Sequence, residues 1–229
     1  MAIFKLDGKR TRSVVTAATG LYLCACILFF LPVEFPHKIT YCVSILTMAS
    51  LWLCPWEITM ALFFSTLGDH MGSCHNFLGQ MGFFALGHLS YITYFTKRYF
   101  GKVEADRKLT GKAKGYIAMV IFYALALLAV AFTRIAPEAP AGIIRIGVCI
   151  YATLISIMMV MAMLQRSSLF ALGAAMFVFS DFILAWNKFV EPIPGRDYLV
   201  LVSYFMAQWL LFIRSTSFRV APEMRILRF

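Results

Sequence analysis

The twenty residues from Ser168 to Asn187 read SLFALGAAMFVFSDFILAWN. In a helix that run extends about 30 Å, the thickness of a bilayer's hydrocarbon core, so it reads as a membrane span. It carries one formal charge, Asp181. A carboxylate at that depth costs about 2.5–3.5 kcal/mol, which makes it a functional-site residue by default. A second acid, Asp69, ends a similar apolar stretch, Phe64-Ser65-Thr66-Leu67-Gly68-Asp69.

The rest of the chain agrees with a membrane setting. Of 229 residues, 61% are hydrophobic and 14% charged, where a soluble domain carries about 25% charge. Mean hydropathy is +0.79. The expected fold is all-α, a polytopic transmembrane bundle of eight helices forming a single domain over residues 1–229. The expected spans are 14–32, 38–54, 57–74, 77–96, 115–133, 142–163, 168–187 and 197–213. The second and third are separated only by Cys54-Pro55-Trp56-Glu57, a tight turn between antiparallel neighbours. Residues 1–12 are basic but precede no small-residue cleavage site, so the first span is read as retained. Residues 97–114 read as a basic loop and 214–229 as a basic tail.

Charge orients the bundle. With the N-terminus in the cytoplasm, 16 of the 21 basic residues fall on the inner side. The outer side keeps only Lys38, Arg134, Arg145, Lys188 and Arg196. The positive-inside rule then places both termini in the cytoplasm, and a bacterial inner membrane is the expected location. The net charge of +10 reflects this topology and attraction to anionic membrane lipids rather than to nucleic acid, which would want basic residues on a soluble surface. A faint repeat accompanies the spans: Asp69 precedes Phe77 by eight residues and Asp181 precedes Phe189 by eight. Two parallel four-helix repeats would bring the aspartates together across a pseudo-twofold axis.

Several polar residues share faces with these acids or with one another. Ser65 lies four residues before Asp69, and His88 and Tyr91 are three apart on one helical face. Tyr204 and Gln208 are four apart, and Asn187, Lys188 and Tyr151 are available from neighbouring spans. Ser180 is expected to bond only its own helix backbone. A metal reading would use Asp69, His70, Cys74 and His75, with His88 nearby, since zinc accepts all three ligand types. The HExxH pattern is absent, and no metal or other cofactor is assigned. The six cysteines form no CxxC pair and read as small packing residues.

The segments Ser65-Thr66-Leu67-Gly68-Asp69, Phe77-Leu78-Gly79, His88-Leu89-Ser90-Tyr91 and Gly173-Ala174-Ala175-Met176-Phe177-Val178-Phe179-Ser180-Asp181 together resemble the YhhN family. Its animal members are the lysoplasmalogenases. The family pattern includes S-x-x-G-D, H-x-x-Y and G-A-x-x-F-x-x-S-D in that order, and the likeness runs from about residue 38 to 213. The chain departs from it at Pro36-His37-Lys38, where the family often opens its second helix with Lys-Pro. The resemblance implies an integral membrane hydrolase that cleaves the vinyl ether bond of a lysophospholipid, giving a fatty aldehyde and a glycerophospho-alcohol. Vinyl ethers hydrolyse through a cation like the one glycosidases manage with two carboxyl groups. Asp69 and Asp181 are the expected catalytic pair, one acid and one base. Ser65, His88 and Tyr91 are expected to orient the acid or the water, Asn187, Tyr204 and Gln208 to line the site, and Lys38 or Lys188 to contact the headgroup phosphate. The alternative is a proton-coupled lipid or small-molecule transporter using the same aspartates.

Overall fold

The structure, a computed structural model, describes residues 8–32, 35–103 and 111–216. Among them there is no strand. The helices are α1 (Gly8–Phe30), α2 (Lys38–Leu53), α3 (Trp56–Ser73), α4 (Phe77–Val103), α5 (Gly111–Val130), α6 (Ile143–Met163), α7 (Ser168–Phe189) and α8 (Arg196–Thr216). A π-helical turn, Ala131–Ile135, continues α5. The first seven residues, part of the basic loop (104–110) and the tail from 217 onward lie outside the described residues.

Local chemistry sets the helix ends. Cys54 is extended at φ −117° and ψ 160°, as a residue before proline must be, and Pro55 opens α3 at φ −58°. At the far end of α3, His75 takes a left-handed φ of 58°. Its N–H donates to Gly72 O at 3.0 Å, and the Asn76 N–H donates to Met71 O at 2.9 Å. That pair of bonds is a Schellman closure, with histidine where glycine is usual. Asn76 Oδ1 then accepts the Gly79 N–H at 2.9 Å and starts α4.

Among the described residues, five helices are long and apolar enough to cross a membrane: α1, α5 with its π turn, α6, α7 and α8. Helix α2 is a shorter apolar helix of 16 residues. Helices α3 and α4 are more polar, because they carry Glu57, Asp69, His70, Gln80 and His88. Large apolar side chains including Ile27, Phe122, Ile146 and Ile150 are exposed, as expected of an integral membrane protein whose outer surface meets lipid rather than water.

The chain groups into two compact units, one from Met1–Gly87 with Gln208–Phe229 and one from His88–Ala207. In the first unit α2 packs on α1 and α3, burying Tyr22, Leu46, Leu53, Ile58 and Leu62. Gly68 admits the Phe84 ring: a Cβ there would lie 2.8 Å from Phe84 Cδ2. In the second unit α6 packs on α5 and α7 around Phe95, Phe170, Phe177, Met158 and Met159.

Three expectations need correction. The loop read over 97–114 is shorter, because α4 runs on to Val103 and α5 begins at Gly111. Arg98 lies along an apolar neighbour there, with its guanidinium 5.7 Å from the Phe170 ring centre. The eight-residue repeat is not matched locally. Helix α3 stops four residues after Asp69 and Phe77 opens a new helix, whereas α7 continues unbroken to Phe189. The cysteines are all free, but Cys24 and Cys74 are exposed rather than packed inside.

Candidate functional site

Asp69 and Asp181 each follow the first residue of their helix, Trp56 and Ser168, by thirteen positions. They fall in different units, each with its own surroundings.

In the second unit, three side chains from three helices converge. Tyr151 of α6 donates its phenol proton to Asp181 Oδ2 of α7 at 2.5 Å. His88 Nε2, from α4, lies 3.0 Å from the Tyr151 oxygen and 3.5 Å from Asp181 Oδ2. Because the phenol has one proton and gives it to the carboxylate, the imidazole must supply the hydrogen for the second bond. Nε2 is therefore the N–H of His88, and in a neutral ring Nδ1 carries the lone pair. His88 is 1% exposed, and its Nδ1 has no hydrogen-bond partner among the described residues. A buried polar atom left so costs about 1–3 kcal/mol.

The walls around this histidine are aromatic. The Phe177 ring meets it edge-on at 4.7 Å, one helical turn before Asp181, and Tyr204 of α8 meets Phe177 at 5.5 Å. The motif G-A-x-x-F-x-x-S-D thus gains a physical reading in α7. Ala174 is fully buried, Phe177 packs on the imidazole, and Asp181 anchors the phenol. Ser180 Oγ donates to Val200 O of α8 at 2.9 Å, which corrects the expectation that it bonds its own helix. That hydroxyl ties α7 to α8.

Other expected site residues take different positions. Tyr91 is buried and stacks on Phe95 at 6.3 Å, in the unit's aromatic core. Asn187 Oδ1 accepts the Ile193 N–H at 2.9 Å, so its amide fastens the turn between α7 and α8. In the first unit, Asp69 is 2% exposed. Ser65 gives its proton to Ala61 O at 2.9 Å, one turn back on its own helix, leaving only lone pairs for a ligand. Gln208 is fully buried. Lys38 is half-buried, with its ammonium 5.0 Å from the Phe29 ring centre.

Tyr151 is the residue that sequence patterns underrate. It stands in an apolar span with no neighbour to flag it, and only the fold brings it to a carboxylate 30 positions away. For a metal, the described residues that come together are His37, His70 and Cys74 of the first unit. Asp69 and His75 are not part of that group.

The chain is similar to a curated relative, the lysoplasmalogenase TMEM86B of Sus scrofa, at 27% identity over 169 residues. That alignment covers 72% of this chain and 64% of the relative, so the chain spans less than two thirds of that protein's length. No solved structure matches. The family model of the YhhN family matches residues 39–215, a stretch holding both aspartates, His88 and Tyr151, and the chain belongs to that family.

Proposed function

We propose that this protein is a membrane hydrolase of the lysoplasmalogenase type, cleaving the vinyl ether bond of a lysophospholipid to a fatty aldehyde and a glycerophospho-alcohol. Family membership and the relative named a lysoplasmalogenase support the reaction class. The observation that carries the chemistry is the hydrogen-bonded chain Asp181–Tyr151–His88, which ends in a buried ring nitrogen with no partner among the described residues.

The reaction begins with a proton delivered to the vinyl carbon remote from oxygen, leaving an oxocarbenium cation. Asp69 is proposed as the acid, from its place in the Ser65–Asp69 motif. A water then adds to the cationic carbon as His88 Nδ1 removes its proton. The imidazolium so formed is stabilised by the Asp181 carboxylate 3.5 Å from Nε2 and is held in orientation by Tyr151. That is the arrangement in which a base is steadied by a third group. The resulting hemiacetal collapses: His88 returns its proton to the departing glycerol oxygen, and the Asp69 carboxylate takes the hemiacetal hydroxyl proton. Both residues end as they began.

The test is aldehyde release from a lysoplasmenyl lipid against the matched acyl lysolipid, with purified protein in detergent. The expected result is aldehyde from the vinyl ether lipid alone, and an Asp181→Asn variant slower by about 10²–10⁴-fold, the usual weight of acid–base assistance. Absence of aldehyde from the wild-type protein, or full activity in Asp181→Asn, overturns the proposal.

A further inference from the structure

Away from the Asp181–Tyr151–His88 chain, the first unit holds a second chemical cluster. His70, in the last turn of α3, and Cys74, the C-cap residue of that helix, are four residues apart and so share a face. His37 stands just before α2, in a left-handed conformation with φ 55°, which histidine adopts more readily than most residues. It holds the N-cap position of α2, yet its side chain makes no capping bond there. The ring lies instead against the end of α3, with its centroid 4.7 Å from that of His70.

Distances between ligand atoms decide what such a group can hold. Cys74 Sγ lies 3.8 Å from His70 Nε2 and 3.9 Å from His37 Nδ1, and the three donor atoms all lie within 4.8 Å of one another. Zinc bonds of about 2.0–2.1 Å to nitrogen and 2.3 Å to sulfur, set tetrahedrally, separate S from N by about 3.6 Å. The two S···N edges therefore need to close by only a few tenths of an ångström. The geometry points to a binding site for a borderline divalent cation, Zn²⁺ by ligand type, held by His37, His70 and Cys74 with the fourth position open to water.

The metal's place on His37 is held by a proton in the present arrangement. Ser73 Oγ donates to His70 O at 2.7 Å. Its 2.6 Å contact with His37 Nδ1 is therefore an N–H donated to the serine oxygen. Binding moves that proton to the other ring nitrogen of His37 and displaces the Cys74 thiol proton. Exposure of His37 and Cys74 gives the ion direct entry. Once bound, it clasps the start of α2 to the end of α3, across 37 positions of sequence between His37 and Cys74.

The experiment uses the full-length protein in detergent, reduced, stripped with a chelator, and titrated with Zn²⁺ alone and with Co²⁺ alone. Expected are one ion per chain, a thiolate-to-cobalt charge-transfer band with the strong visible absorption of a tetrahedral centre, and a melting temperature that rises with added Zn²⁺. Cys74→Ser should abolish the charge-transfer band. It should also weaken Zn²⁺ binding beyond the about 10–100-fold that loss of an outer-shell support typically causes. His70→Gln and His37→Asn, the latter keeping a residue that tolerates the left-handed backbone, should each weaken binding strongly. His75→Gln should leave affinity unchanged. Monodispersity and circular dichroism of each variant separate lost binding from lost folding. A cobalt spectrum without the thiolate band, or a Cys74→Ser variant that binds Zn²⁺ as the wild type does, overturns the assignment.

Discussion

Replacing Tyr151 by phenylalanine removes one oxygen and keeps the ring that faces His88 edge-on at 5.3 Å. Two hydrogen bonds disappear with it, the 2.5 Å bond to Asp181 Oδ2 and the 3.0 Å bond from His88 Nε2. A hydrogen bond to a charged group is worth about 1.5–3 kcal/mol. Part is recovered if Nε2 closes its 3.5 Å gap to Asp181 and bonds the carboxylate directly. That closure turns the ring and moves Nδ1 from the position the phenol had fixed. A net loss of about 1.5–3 kcal/mol in the transition state corresponds to a fall in rate of about 10–150-fold. The assay is continuous aldehyde detection with a lysoplasmenyl substrate, reporting kcat and KM separately. A positioning role predicts that kcat falls while KM stays nearly constant. Tyr123→Phe, at an exposed tyrosine, should match the wild type. A Tyr151→Phe enzyme with unaltered kcat, well folded by thermal melting, would refute the role given to this phenol.

Asp69→Asn should lower aldehyde release by about 10²–10⁴-fold without loss of membrane insertion, checked by fractionation and by thermal melting in detergent. Gly68→Ala forces a methyl group to 2.8 Å from the Phe84 ring and should destabilise by about 1–3 kcal/mol. A Phe84→Leu change in the same chain should restore much of the melting temperature. Ser180→Ala removes the 2.9 Å bond to Val200 O and should cost about 0.5–1.5 kcal/mol of stability, read from unfolding in detergent.

Helices were legible where composition and stereochemistry agree. Pro55 divides α2 from α3 because no helix interior accommodates it, and the apolar runs of α6 and α7 match their structures within two residues. The extension of α4 to Val103 was hidden, because a basic run reads as solvated loop until Arg98 is seen lying over Phe170. At the site, the lone acid in α7 stood out through the cost of a charge at membrane depth, and the histidine of α4 through its spacing from Tyr91 and its place in the family pattern. Their connector did not, since a tyrosine in an apolar span carries no local mark. Asn187 shows the converse. A polar residue near a helix end looked like a ligand-binding group, yet its carbonyl oxygen serves the Ile193 N–H. The His70–Cys74 pair was visible as a helical spacing, whereas His37 joins it only through the turn that precedes α2.

Helix α7 is fastened at two heights, by Asn187 to Ile193 in the turn before α8 and by Ser180 to Val200 in α8 itself. A carrier must let one wall of its binding chamber swing while another stands still. Here the wall bearing Asp181 can rotate only by tearing both fastenings, or by dragging α8 along. Such stiffness suits chemistry at a fixed address, where a proton must meet the same atom at every turnover, better than it suits passage from one side of a bilayer to the other.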